Sequence, residues 1–476
     1  MIATAQRADF ADWLSPMLVK ELRQGMRSRV FSSAFYLTQV LMILSVGFHV
    51  AAAGNESGFS GQLTGFLDGL FWFLIAVPLL FVMPARGFGA LHGEIKANTL
   101  ELVFLTRLSA WRITAGKYIA ILVQTLLLIC AILPYVVLRY FLGGVDLLED
   151  IQKVFFLFAA SAVLTAVTVA MSPYESKLLR VLFVVVLIFA VQVFASFLLA
   201  WLAVGRIVGS TSGGIWSSLV ITGILVPAFV YLALEIAASK IAPPAENHAL
   251  RKRAICLIVI FISIALAFLG SGWEWTFWLA LAFCAPVVVD SLAEPIHPVR
   301  MVYQQFFQWG KLGRLAGVFL TPGWPSGAWF SLLAGTLAAV GSLLLGNLPD
   351  LPFALGLVSY FGALVFPAAI VRAIAPKNPH FLGFYFGLQF LFAALTVMVG
   401  IMSAIANQPF SSWLACSPSC VFLLNATEQI KTEQMGLVFF VVSLATATTF
   451  GLLLIVTLKP LRDIRQTLAR YSNDNG

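Results

Sequence analysis

Residues 92–117 read HGEIKANTLELVFLTRLSAWRITAGK, a short interlude between two apolar runs, 66–91 and 113–137, each long enough to cross a bilayer. The interlude gathers Glu94, Lys96, Glu101, Arg107, Arg112 and Lys117 in a chain that is only 11% charged. Asn98 is suited to cap a turn, and Glu101, three residues on, reaches back to complete a capping box. Ser109 offers a second helix start before Trp111 and Arg112. The expected element is a short helix between two membrane spans, pinned at both ends.

The rest of the chain agrees with spans on either side. Its 476 residues are 60% hydrophobic with a mean hydropathy of +0.95, more apolar surface than a soluble fold can hide. The fold class expected is an all-α polytopic membrane protein. Net charge is +8, but the basic residues sit beside apolar runs, which points to membrane orientation and away from a nucleic-acid partner. With Asp9 and Asp12 at the N-terminus and a first apolar run of spanning length, no cleavable leader is expected.

Twelve spans are expected, near 31–53, 66–91, 113–137, 154–171, 180–204, 215–238, 254–269, 275–292, 326–345, 351–374, 381–404 and 437–458. Charge tests this count. With the N-terminus inside, only Arg139, Lys153, Arg206 and Lys431 of the 29 Lys and Arg fall at outer loops. The acidic residues reverse the pattern, with Glu56, Asp68, Asp146, Glu149, Asp150, Glu274, Asp350, Glu428 and Glu433 outside. Both termini and the 92–117 stretch are therefore expected in the cytoplasm of a cell-membrane protein. Before the first span, 15–30 reads as a basic amphipathic helix at the membrane surface. Leu18, Val19, Leu22, Met26 and Val30 fall within about 120° of one face. Lys20, Glu21, Arg23, Arg27 and Arg29 supply its charge.

A faint internal repeat accompanies this layout. LELVFLT at 100–106 returns as LAGVFLT at 315–321, each in the break after the second span of a six-span set. The organisation expected is a cytoplasmic segment 1–30, a first six-span half 31–253, a degenerate second half 254–458 and a cytoplasmic tail 459–476. The second copy lacks the charges and gains Pro322, Gly323 and Pro325, so it is not expected to form the same helix. Glu235, Asp290 and Arg139 lie near the ends of spans and read as snorkelling side chains. Pro78, Pro84 and Pro134 are expected to kink their helices. Cys416 and Cys420 share an outer loop, spaced to close a small disulfide ring or to stay as two thiols. No phosphate-binding loop, hydrolase motif or metal-ligand spacing is evident, and no cofactor is expected.

Two blocks resemble the permease subunit of ABC-2 type transporters. SPMLVKELRQGMRSR at 15–29 is similar to the family's interfacial helix, NPxxxKExRxxxRSR. Glu94 followed by Asn98-Thr99-Leu100-Glu101-Leu102, Thr106, Ser109, Trp111-Arg112-Ile113 and Gly116-Lys117 is similar to its E…GTLELLLxTPLSxWxIxxGK signature. The chain departs at Asn98, where the family has Gly, and at Arg107, where it has Pro. The resemblance implies a cytoplasmic coupling helix that docks in a groove of a separate ATPase subunit. It also implies that twelve spans are two fused permease units, or one unit with a degenerate partner, with a second permease chain an open question. Leu100, Val103 and Phe104 would present the apolar contact there, with Glu101 and Arg107 as rim charges.

Two other classes compete. A membrane-embedded enzyme acting on lipid-linked substrates needs polar groups gathered at one interface, and Glu428, Glu433, Asp146 and Asp150 are its candidates. An ion-driven secondary transporter needs buried, paired charges, of which the sequence displays almost none.

Overall fold

The computed structural model describes residues 16–53, 61–97, 109–142, 146–174, 212–267, 273–296, 299–307, 310–344, 351–376, 378, 380–406, 417–426, 430 and 432–473. Among them the ordered structure is helical throughout, without strands. Seven segments are long and apolar enough to cross a membrane: Arg29–Ala51, Gly65–Lys96, Ala110–Leu142, Leu147–Met171, Leu351–Ile374, Phe381–Met402 and Met435–Ile464. The protein is an all-α, multi-pass membrane protein. Four further expected spans, 215–238, 254–269, 275–292 and 326–345, coincide with helices; the expected span 180–204 lies outside the described residues.

The described residues divide into two compact units, one up to Ala242 and one from Pro243 onward. The helix before the division ends at Ile241, because Pro243 and Pro244 cannot continue it.

In unit 1, α1 (Pro16–Met26) is followed by α2 (Arg29–Ala53). The expected single helix over 15–30 is thus broken, and Arg29 belongs to the first span. Ser28 makes the break: its hydroxyl donates to Gly25 O at 2.7 Å and accepts from Phe31 N at 3.3 Å, capping α2. Lys20, Arg23 and Arg27 are exposed as expected, while Leu22 is buried.

The second span starts as α3 (Gly61–Val77) and then loses regularity. Pro78, with no N–H to donate, opens a wide turn through Val82 in which Met83 N bonds Pro78 O, and a tight turn follows at Arg86–Gly89. The widened turn turns the Leu79 carbonyl to the Ser161 hydroxyl, which donates to it at 2.6 Å. A short helix α4 (His92–Lys96) ends the segment. Then come α5 (Ala110–Leu142), which runs through Pro134, α6 (Leu147–Met171) and α7 (Ser212–Ile241). Asp146 caps α6 by accepting from Leu148 N at 3.0 Å, with Glu149 and Asp150 favourably placed in its first turn.

Lipid tails are as apolar as leucine, so these helices associate by close packing and buried hydrogen bonds. Phe71, Trp72, Ile75 and Leu79 interlock with Leu128, Ile132 and Leu157 in one core. Leu91, Ile113, Ala166, Val169, Leu234 and Ala237 build another. Gly87 lets the second span touch α6; a Cβ there would land on the Thr168 hydroxyl.

Unit 2 comprises α8 (His248–Ala267), α9 (Trp273–Ala293), α10 (Arg300–Phe307), α11 (Gly310–Leu320), α12 (Trp324–Leu344), α13 (Leu351–Ile374), α14 (Phe381–Ala406), α15 (Pro418–Ala426) and α16 (Thr432–Asn473). The last helix, α16, continues unbroken to Asn473, and its Ile464 packs on Val302 and Tyr303 of α10. Leu315–Leu320, the echo of the coupling stretch, form the last turns of α11; their counterparts 100–106 lie outside the described residues.

Gly87→Leu is expected to destabilise the protein by about 1–3 kcal/mol, the usual cost of overpacking. Gly47→Leu, where a Cβ would meet nothing, should be neutral in the same thermal unfolding assay in detergent. Equal melting temperatures for the two variants would contradict this packing.

Candidate functional site: the foot of unit 1

Lys117, one helical turn or two into α5, is 5% exposed, and its ammonium is held by two carboxylates. Glu21 of α1 lies at 3.1 Å and Glu94 of α4 at 2.8 Å, each with about a fifth of its side chain exposed (18% and 19%). Three pieces distant in sequence thus converge on one cation: the N-terminal helix, the start of the polar interlude and the base of the third span. The sequence singled out Glu21, Glu94 and Lys117 in separate motifs but did not show that they meet.

Arg86 makes a second knot beside the first. Its guanidinium donates to Gln124 Oε1, to Gly25 O at 3.3 Å and to Ser28 Oγ at 3.4 Å, and lies over the Phe31 ring at 5.7 Å. Gly25 O belongs to the last turn of α1, where carbonyls lack helical partners and a cation is favoured. Gly25 itself permits the approach, since a Cβ would strike the Gln124 amide. Nothing in the local sequence of Arg86 announces this role, because its partners lie 38 to 61 positions away.

Both ends of the interlude are anchored. At one end the Ser172 hydroxyl accepts from Leu91 N at 2.7 Å and His92 N at 3.1 Å. At the other, Ser109 caps α5, accepting from Arg112 N at 3.4 Å through its hydroxyl and from Ile113 N at 3.2 Å through its carbonyl. Trp111 packs against Tyr231 of α7, ring centroids 4.6 Å apart. The expected coupling residues Asn98, Thr99, Leu100, Glu101, Leu102, Val103, Phe104, Thr106 and Arg107 lie between these anchors, outside the described residues.

A second charge network sits near the opposite end of α5. Arg139 is 2% exposed and pairs with Asp68 of α3 and, at 3.9 Å, with Asp150 of α6; it also covers the Phe71 ring at 4.1 Å. Lys153 closes the network, at 3.0 Å from both Asp150 and Glu149 and 5.3 Å from the Trp72 ring centre. Arg139 therefore does not snorkel; it is locked between helices. The same correction holds for Asp290, which is buried and paired with Lys252 in unit 2, and Glu235 is fully buried within unit 1.

Unit 2 has its own node at the start of α8. Lys252 also holds Glu294 at 2.9 Å, and Arg253 holds the other oxygen of Glu294 at 2.6 Å. Arg253 further donates to the carbonyls of Phe319 and Thr321, both at 2.8 Å, and to Gly323 O at 3.3 Å. Glu294 in turn accepts from Gly323 N at 3.1 Å. Burial alone would raise the Glu294 carboxyl, but Lys252 and Arg253 outweigh it and hold the group below its usual range. Gly323, at φ 120°, turns the chain from α11 into α12, as only glycine does readily.

Among the described residues no cluster of His, Cys, Asp or Glu fits a metal ion. Cys420 is a free, buried thiol that donates to Phe392 O at 3.6 Å, and Cys416 lies outside the described residues. No family model, characterised protein or solved structure matches the chain.

Two predictions follow from these networks. Lys117→Met leaves two carboxylates facing each other and should cost about 2–4 kcal/mol, the lower part of the range for a broken buried pair because both carboxylates keep some water. Adding Glu21→Gln and Glu94→Gln should restore more than half of that loss, read by chemical unfolding and by protease cutting after Lys20 or Arg23. At the other network, Asp150→Asn, whose side chain is 2% exposed, should cost more than Asp68→Asn at 27%, by about 1 kcal/mol or more. The reverse order would refute the burial argument.

Proposed function

We propose that this chain is the membrane-spanning permease subunit of an ATP-driven, ABC-2 type transporter, moving substrate by coupling to a separate ATPase subunit. The carrying observation is the knot at Lys117. It ties α1, α4 and the base of α5 together, so a push on the interlude 98–108 would reach the spans as a rigid-body tilt. A force-receiving stretch needs stiff attachments, and the Ser172 and Ser109 hydrogen bonds supply them on both sides.

In this reading the chain has twelve spans in two halves, with both termini and the interlude cytoplasmic, and it lies in the cell membrane. Leu100, Val103 and Phe104 contact the ATPase, and Glu101 and Arg107 set the register. ATP hydrolysis belongs to the partner, and this chain is not an enzyme.

The ion-driven alternative gains the two buried charge networks, which the sequence alone did not reveal. Each lies near helix ends, however, and not at mid-membrane depth where such a transporter needs its paired charges. Asp150 is in the first turn of α6, and Lys252 in the first turns of α8. Such placement favours structural locks over a mid-membrane ion path.

Leu100→Asp and Phe104→Asp should each abolish copurification of the ATPase at unchanged amounts of membrane-inserted permease. Normal capture by both variants would sink the docking claim. Uptake that depends on a proton or sodium gradient, without any ATPase, would establish the alternative.

A further inference from the structure

We infer that the C-terminal part of α16, together with the α10–α11 hairpin, forms a binding surface for anionic phospholipid headgroups. The inference does not depend on the permease reading, only on the protein's residence in a membrane.

Length comes first. The 42 residues of α16 extend about 63 Å at 1.5 Å per residue, twice the roughly 30 Å hydrocarbon core. A large part of the helix therefore lies beyond the core. One face of it marks the crossing. Leu452, Ile455 and Leu458 are 46%, 69% and 53% exposed, a stripe that lipid tails would cover. Along that same face, at helical spacing, the next exposed side chains are Lys459 and Arg462. The stripe passes from acyl-chain chemistry to cationic chemistry within one turn, as a helix does at headgroup depth.

The opposite face is held by protein. Ile464 is buried against Val302 and Tyr303 of α10, so the basic face cannot roll inward. The hairpin is itself confined to this level, since it joins α9 to α12 through short connections. It is fixed there by Arg253, which donates to the carbonyls of Phe319 and Thr321 at the turn. It leaves Met301 and Leu315 exposed at 69% and 61%, apolar side chains outside the spans on amphipathic helices. Charge completes the match. Residues 300–320 and 459–473 carry seven basic side chains and a single acidic one, Asp463. An anionic lipid surface answers both the cations and the exposed apolar side chains.

The test uses the full-length protein, purified in neutral detergent and exchanged into mixed micelles of phosphatidylglycerol or phosphatidylcholine, with retained lipid counted by native mass spectrometry. Wild-type protein should retain phosphatidylglycerol roughly fivefold or more over phosphatidylcholine for each basic residue engaged, and less as salt rises. The double variant Lys459→Gln/Arg462→Gln should lower that preference roughly tenfold or more with an unchanged melting temperature. The charge-keeping Lys459→Arg/Arg462→Lys should keep the preference. Equal retention of the two lipids by wild type, or an undiminished preference in the Gln variant, would overturn the inference. So would displacement of the lipid by millimolar glycerol phosphate, which would mark a soluble-phosphate site instead.

Discussion

A charge carried into the packed interior of a membrane protein costs several kcal/mol unless another charge or a ring of acceptors lies within a few ångströms. The long-range organisation of this chain follows from that constraint. Lys117 is answered by Glu21 and Glu94, Arg139 by Asp68 and Asp150, Lys252 and Arg253 by Asp290 and Glu294. Arg372 is met differently, by the carbonyls of Leu292 and Pro376 and by the faces of Trp324 and Phe381. Apolar contacts in lipid are nearly interchangeable, so it is these directional pairs that decide which helix stands beside which.

The two networks of unit 1 share a beam. Lys117 and Arg139 sit on the same uninterrupted helix, α5, about 33 Å apart along its axis by the 1.5 Å rise. A tilt imposed at the Lys117 end must therefore be met at the Arg139 end, where Asp68 and Asp150 hold the helix to its neighbours. The adjoining second span is built differently, with a widened turn at Pro78–Val82 and a tightened one at Arg86–Gly89. Under the proposed function, a stiff lever lies beside a segment whose helical pitch already varies.

What the sequence disclosed and what it concealed divide along the same line. Apolar runs, the Ser109 cap and the exposed basic face of α1 are local, and all were readable from neighbouring residues. Arg139 was misread because its counter-charge Asp68 lies 71 positions away, and no local pattern distinguishes a snorkelling arginine from a paired one. Arg86 escaped notice for the same reason. The break at Ser28 was local but hidden, since serine continues a helix or caps a new one according to where Gly25 can pack. The expected last span ends at 458, where the apolar run ends, whereas α16 runs on through Pro460, a proline that a membrane helix readily accommodates.

The two units hold their buried cations in opposite ways. In unit 1 the anchoring cation is an ammonium, a point charge held between two partly hydrated carboxylates from α1 and α4. In unit 2 it is Arg253, fully buried, whose planar guanidinium engages Glu294, Ser326 Oγ and the carbonyls of Phe319, Thr321 and Gly323. Breaking the second arrangement would strand a buried cation and several acceptors at once, so it has little freedom to move. If force enters this protein through an interlude between spans, the Lys117 knot passes it to α1 and α5 together, whereas Arg253 holds the turn before α12 in place. Asymmetry between the units then resides in the choice of lysine or arginine at the anchor as much as in the charges missing from 315–321.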